Sequence, residues 1–90
     1  MTIHLKITPH PKPLEVRIPC SDVLFASFRY IGWAAPARFG LILNKDSVSL
    51  LKGMEAAFYG MSFTDSANCI QTIIKEIQRY GEIKLELIEC

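Results

Sequence analysis

Residues 66–89 read SANCIQTIIKEIQRYGEIKLELIE, and the period of their apolar residues changes once along the chain. From 66 to 80, isoleucines recur at helical spacing, which predicts an amphipathic helix whose inner face carries Ile70, Ile73, Ile74, Ile77 and Tyr80. From 82 to 89, apolar and charged residues alternate, which predicts a strand whose inner face carries Ile83, Leu85 and Leu87. Gly81 lies between the two elements and is expected to end the helix in a left-handed C-cap, whose positive φ angle glycine adopts freely.

Three more strands are predicted upstream. Apolar and polar residues alternate over 2–8 and over 14–18, and the inner face of the second of these strands is expected to carry Leu14, Val16 and Ile18. The connector 9–13 contains three prolines, which cannot join a strand ladder, so the two strands are expected to pair antiparallel across it. A short apolar run over 39–43 predicts the third strand.

Two more helices are predicted, one from Asp22 to about Gly32 and one over 47–61. Ser21 is expected to cap the first of them, and Thr64 or Asp65 is expected to cap the C-terminal helix, because short polar side chains accept hydrogen bonds from free helix N–H groups. The helix over 47–61 is expected to gather its apolar residues on one side: Leu50, Leu51, Met54, Ala57, Phe58 and Met61.

The predicted order is therefore β-β-α-β-α-α-β. It indicates a single α+β domain over residues 1–90, with a mostly antiparallel sheet of about four strands and about three helices packed on one face. The opening β-β-α-β order over 2–43 resembles the ubiquitin-like (β-grasp) order in its sequence of elements, and the helical pair that follows departs from that order.

Composition excludes several classes of protein. Half of the 90 residues are apolar and 21% are charged, which excludes a disordered chain. The net charge of +1 provides no strong field toward nucleic acid or anionic lipid, and the charge-free stretches are too short for a membrane span. The start of the chain lacks a secretion pattern and the three cysteines, Cys20, Cys69 and Cys90, are widely separated, so a reducing cytoplasm is expected.

The residues that could carry chemistry do not form a known motif. His4 and His10 have no partner at metal-ligand spacing, so neither a metal nor a cofactor is expected. Cys20 lies where a strand meets a helix N-terminus, which can activate a thiol, although an ordinary buried cysteine explains it better. An enzyme is therefore the less favoured reading. The alternatives that stay open are a site assembled near Cys20 and His10, or a weak nucleic-acid-binding domain.

The first predicted helix has two apolar faces. One face, suited to the sheet, carries Leu24, Phe25, Phe28 and Ile31, and the second carries Val23, Ala26, Tyr30 and Trp33. The second face is covered either by the other helices or by another chain, and Arg29 and Arg38 could then form a polar rim around it. These residues predict a non-enzymatic interaction module, of a regulatory or inhibitor type, that binds another protein or a second copy of itself.

Overall fold

A computed structural model describes residues 3–9, 14–30 and 41–89 of the chain. The elements in these ranges are β1 (Ile3–Pro9), β2 (Val16–Cys20), α1 (Asp22–Tyr30), β3 (Leu41–Asn44), a 3-10 turn (Lys45–Ser47), α2 (Val48–Gly60), α3 (Thr64–Tyr80) and β4 (Glu82–Glu89). The predicted α+β class and the predicted order of strands and helices are both confirmed. Residues 31–32 of the first predicted helix and residues 39–40 of the third predicted strand lie outside the described residues.

The four strands form one sheet in the order β2-β1-β4-β3, and every neighbouring pair is antiparallel. The central pair joins the two ends of the described chain, with Leu5 opposite Leu87 and Ile7 opposite Leu85. The inner face of the sheet is buried through the side chains of Leu5, Ile7, Leu43, Ile83 and Leu85.

Strand β2 differs from its prediction, because it begins at Val16 and continues to Cys20. Leu14 lies before the strand and is 58% exposed, and Val16 is exposed as well. Their alternation is real, since Ile7 pairs with Val16 and Leu5 pairs with Ile18. However, β2 is an edge strand, and only its second half, ending in the buried Cys20, lies under the helices.

Helix α3 connects the sheet to the other helical elements. It contacts β1, β2 and β4, while α2 packs mainly against α3. Four of the five residues of its predicted inner face, Ile70, Ile73, Ile74 and Ile77, are buried, whereas Tyr80 in the last turn is only partly buried. Its predicted cap is wrong: the helix already begins at Thr64, Phe63 occupies the N-cap position, and no side chain caps it. Helices long and apolar enough to cross a membrane do not occur in the described ranges.

Gly81 ends α3 as predicted and has a positive φ angle, but its ψ angle of −34° lies outside the left-handed helical region that was expected. Its φ angle is 86°, and its N–H donates to the carbonyl of Ile77 at 2.7 Å. The chain reverses at this residue, and β4 then packs against α3. The apolar face of the helix and the apolar face of the strand are therefore buried against each other.

Candidate functional site

Helix α1 is held at its N-terminus by two hydroxyl groups. Ser21 is its N-cap, as expected, and accepts a hydrogen bond from the N–H of Leu24 at 3.1 Å. The Ser21 hydroxyl also lies 2.6 Å from the hydroxyl of Ser66, a buried residue of α3. Because this bond joins the first turns of two helices, it fixes the direction in which α1 leaves the sheet.

The two predicted faces of α1 have different environments. Leu24 and Phe28 on the first face are completely buried. On the second face Val23 packs partly against the core, Ala26 is exposed, and Tyr30 is 92% exposed. The described core therefore covers one face of this helix and leaves most of the other face in solvent.

A groove of about 730 Å³ lies between this second face and helix α2. Among the described residues, its lining comes from these two helices: Val23, Ala26, Ser27 and Tyr30 from α1, and Met54, Ala57, Phe58 and Met61 from α2 and its C-cap. None of these eight residues is charged. The hydroxyl of Ser27 already donates to the carbonyl of Val23 at 2.9 Å, so the α1 wall offers few free polar groups.

The buried side of α2 is narrower than the sequence predicts. Six apolar residues were expected to share its buried side, but only Leu51 and Phe58 are buried, and Met54 is partly buried. Leu50 and Met61 are 48% and 56% exposed, and Ala57 is exposed too. The apolar arc of α2 is wider than the contact it makes with α3, and the unused part of the arc forms a wall of the groove.

The turn between α2 and α3 fixes the C-terminal end of α2, where Met61 lines the groove. Ser62 adopts a φ angle of 65°, which few residues other than glycine do. The N–H of Phe63 donates to the carbonyl of Phe58 at 2.8 Å, and the two rings meet edge to face with their centroids 6.4 Å apart. Met61 therefore precedes a turn whose conformation is stabilised by these hydrogen bonds and by the aromatic pair.

The structure brings together three of the residues predicted to bind a partner, namely Val23, Ala26 and Tyr30. The backbone of Arg29 belongs to α1, whereas Trp33 and Arg38 lie outside the described residues. The α2 side of the groove was missed, because its apolar residues had been assigned to the core. Their signal was available in the sequence, because Met54, Ala57 and Met61 follow the three-four spacing of a helix seam, and the small residues Gly53 and Gly60 lie next to this seam.

Two thiols lie together at the other end of α1. Cys20 and Cys69 line one depression of about 400 Å³ with Pro19, Ser21, Asp65 and Asn68. Burial first, and then the charges of Cys69 and Asp22, raises the pKa of Cys20 to about 12. A nucleophilic cysteine needs a low pKa, so this environment disfavours the alternative of an enzyme built around Cys20. His10, its suggested partner, lies outside the described residues.

The outer face of the sheet bears on the nucleic-acid alternative. Glu15 lies 3.2 Å from the ammonium group of Lys6 and 3.7 Å from the guanidinium group of Arg17, and Lys84 lies 3.7 Å from Glu86. Basic groups on this face thus have acidic neighbours. No phenylalanine, tyrosine or tryptophan occupies an outward position on the strands that the structure describes, so the large aromatic rings on which bases commonly stack are missing from this part of the sheet.

Within the described part of the chain, histidine, cysteine and acidic side chains do not come together in any group of three that could hold a metal ion. Comparison with protein-family models found no match to this chain. Comparisons with curated proteins and with solved structures found no match either. The resemblance to the ubiquitin-like order thus stays a likeness in the order of the opening elements.

Proposed function

We propose that this protein is a small non-enzymatic binding module that takes an apolar helix of a partner protein into the groove between α1 and α2. The observation that carries the proposal is the groove itself, whose lining residues in the described part of the chain are uncharged and come from two helices with exposed apolar residues. A regulatory or inhibitory role suits such a module, because binding alone is sufficient for it.

The spacing of the lining residues favours a helix as the occupant. On α1 the lining residues Val23, Ala26 and Tyr30 are separated by three and then four positions. On α2, Met54, Ala57 and Met61 have the same separations. Alternation of three and four positions is the seam along which one helix packs against another, and a third helix laid in the groove would contact both seams.

The chemistry of the lining favours an apolar stripe on that helix. A charged side chain brought into this groove would lose water without meeting an opposite charge, which costs several kcal/mol per ion. Leucine, methionine or phenylalanine would instead gain about 25 cal/mol for each Å² of apolar surface removed from water. The partner helix is therefore expected to carry apolar residues at seam positions and its charges outside the groove.

The shape of the lining favours insertion of a helix over contact between two flat surfaces. Ala26 and Ala57 keep the middle of the groove open, while Tyr30 and Met61 extend into solvent beside it. A tyrosine that is 92% exposed and beside an apolar groove is the type of residue that commonly anchors an interface. The three cysteines are odd in number and widely separated in the sequence, which suits a reducing compartment, and we place the module in the cytoplasm on that basis.

The test is Ala57→Glu, with Gln71→Glu as its matched control. Both positions are exposed on helices, so each variant should keep a free energy of unfolding within about 0.5 kcal/mol of the parent. Tagged parent and variant chains are purified from the cells that make the protein, and native mass spectrometry records the complexes. A photoreactive crosslinking amino acid in place of Tyr30, followed by mapping of the linked peptides, identifies the segment of the partner that contacts the groove.

We expect the parent and Gln71→Glu to retain a partner crosslinked through an apolar helical segment, and Ala57→Glu to lose it. A doubled mass in place of a heteromeric complex, also lost in Ala57→Glu, would show that the occupant is a second copy and would overturn a foreign helix as the ligand. A parent chain that remains monomeric throughout, or a partner kept by Ala57→Glu, would overturn the groove as a binding site.

A further inference from the structure

The depression between the C-terminal end of β2 and the first turns of α3 holds two cysteines that the proposed binding function does not use. Cys20 is the last residue of β2, and Cys69 lies in the second turn of α3. Cys20 is buried, and Cys69 is half-buried at the wall of the same solvent-open depression. The two residues are 49 positions apart in the sequence, and folding alone brings them to one place.

One hydrogen bond shows how close they are. The thiol of Cys69 donates to the carbonyl oxygen of Pro19 at 3.1 Å. That oxygen belongs to the peptide bond between Pro19 and Cys20, and standard bond lengths place it about 3 Å from the Cα atom of Cys20. The sulfur of Cys69 therefore lies within about 6 Å of that Cα atom. The sulfur of Cys69 lies about 3 Å from its own Cα atom, so the two Cα atoms lie within about 9 Å of each other, a range that includes the separation of about 4.4–6.8 Å found in disulfides.

We propose that Cys20 and Cys69 are a modification site: they form a reversible disulfide that ties the end of β2 to α3 when the protein meets a small-molecule disulfide such as oxidised glutathione. The half-buried Cys69 reacts first. Its thiolate attacks one sulfur of oxidised glutathione, the glutathione S–S bond breaks, and one glutathione leaves as a thiolate. The Cys20 thiolate then attacks the mixed disulfide and releases the second glutathione.

The balance of this exchange is complete. Two protein thiols are oxidised to one disulfide, one glutathione disulfide is reduced to two glutathione thiols, and the two protons lost by the cysteines end on those thiols. Burial and the charge of Asp65 raise the pKa of Cys69, so both protein thiols are mainly protonated near neutral pH. The exchange is consequently slow, and its extent is best measured at equilibrium.

The experiment compares the folded and the unfolded protein in glutathione buffers. Cys90→Ser supplies the background, so that only two thiols remain. The equilibrium constant for forming the Cys20–Cys69 disulfide is measured without denaturant and in concentrated urea, by intact mass and by mapping of the linked peptides. A fold that holds the two thiols together should raise this constant more than about tenfold over its value in urea, because closure of native loops is typically worth more than that.

Thermodynamic linkage gives a second readout. The factor by which folding favours the disulfide equals the factor by which the disulfide favours folding, so the urea midpoint should rise on oxidation. In the same background, Cys20→Ser and Cys69→Ser should stop at the mixed disulfide and show no such rise. A displaced dithiol, Cys69→Ser with Thr72→Cys, moves one thiol a helical turn along α3 and should show a clearly smaller constant.

The proposal is overturned if folding raises the constant less than tenfold, or if only mixed disulfides form in the folded protein. An equilibrium constant for the displaced dithiol as large as that of the native pair would also overturn it, because the position of Cys69 would then not be what favours the disulfide. None of these readouts depends on a partner protein, so the result is separate from the fate of the proposed groove.

Discussion

Helices α2 and α3 follow each other in the chain and pack side by side, yet they use their surfaces in different ways. Helix α3 buries six residues, and its opposite side is polar, with exposed Asn68, Gln71, Lys75, Gln78 and Arg79. Helix α2 buries only Leu51 and Phe58, and Lys52 and Glu55 are the charged residues among its 13. An amphipathic helix on a protein surface normally separates an apolar stripe from a charged face, as α3 does.

The two helices therefore differ in how many of their apolar residues the domain itself buries. Helix α3 satisfies its apolar face within the domain, so it contributes mainly to holding the sheet and the helices together. Helix α2 retains apolar residues that its contact with α3 does not use, and the wall of the groove is made of them. A surface with this composition is typical of a helix that makes a second contact outside its own domain.

The largest effect is expected from Ile73→Ala in α3. Ile73 is completely buried, so the substitution removes packed methyl groups and leaves a cavity, and the free energy of unfolding should fall by about 2–5 kcal/mol. Urea denaturation measures the loss. Gln71→Ala on the exposed side is the control for helix propensity, and Leu50→Ala on α2 should give a clearly smaller loss. Equal losses for Ile73→Ala and Leu50→Ala would contradict the contrast between the helices.

Gly81→Ala is expected to have the next largest effect. A Cβ atom at this position would meet no atom within 4 Å, so the cost comes from the backbone, whose φ angle is 86°. Conformations that residues other than glycine rarely adopt cost about 1–3 kcal/mol, and the urea midpoint should fall accordingly. An unchanged midpoint would mean that α3 does not end through this conformation.

The smallest effect, with the opposite sign, is expected from Gly53→Ala in α2. Gly53 lies inside a helix, and a Cβ atom there would also meet nothing within 4 Å. Alanine should therefore stabilise the isolated protein by about 0.5–1 kcal/mol, through the lower backbone entropy of its unfolded chain. Loss of stability in the same urea titration would show that something lies against this side of α2 in the free protein, and the contrast with α3 would weaken.

The extent to which the sequence predicted the fold varies along the chain. Ile70, Ile73, Ile74 and Ile77 were assigned to the core correctly, since a complete helical period with a polar opposite side has one possible orientation. Val16 was assigned to the inner face correctly, but its exposure follows from the edge position of β2, which the pattern of one strand does not contain. On α2 the apolar residues cover more of the helix surface than its contact with α3 needs. The sequence therefore did not show which of them would be buried.

Of the two sides of the candidate groove, the sequence predicted the α1 side and missed the α2 side, for a related reason. The α1 side, with Val23, Ala26 and Tyr30, was evident because α1 carries two separate apolar faces and needs only one for the sheet. The α2 side was hidden, because on α2 the buried and the exposed apolar residues are adjacent and form one continuous arc. The packing of α2 against α3 divides this arc between the core and the groove.

By itself the sequence determined the order of the elements, the inner face of α3 and the reversal at Gly81, because each depends on the local period of apolar residues or on the backbone freedom of one residue. Tertiary structure alone decided that β2 lies at the edge of the sheet, that Met54 and Met61 face Tyr30 across a groove, and that Cys69 reaches the carbonyl beside Cys20. Those relations join segments far apart in the chain, and the free energy that selects them comes from burying surfaces against each other, which no local pattern specifies.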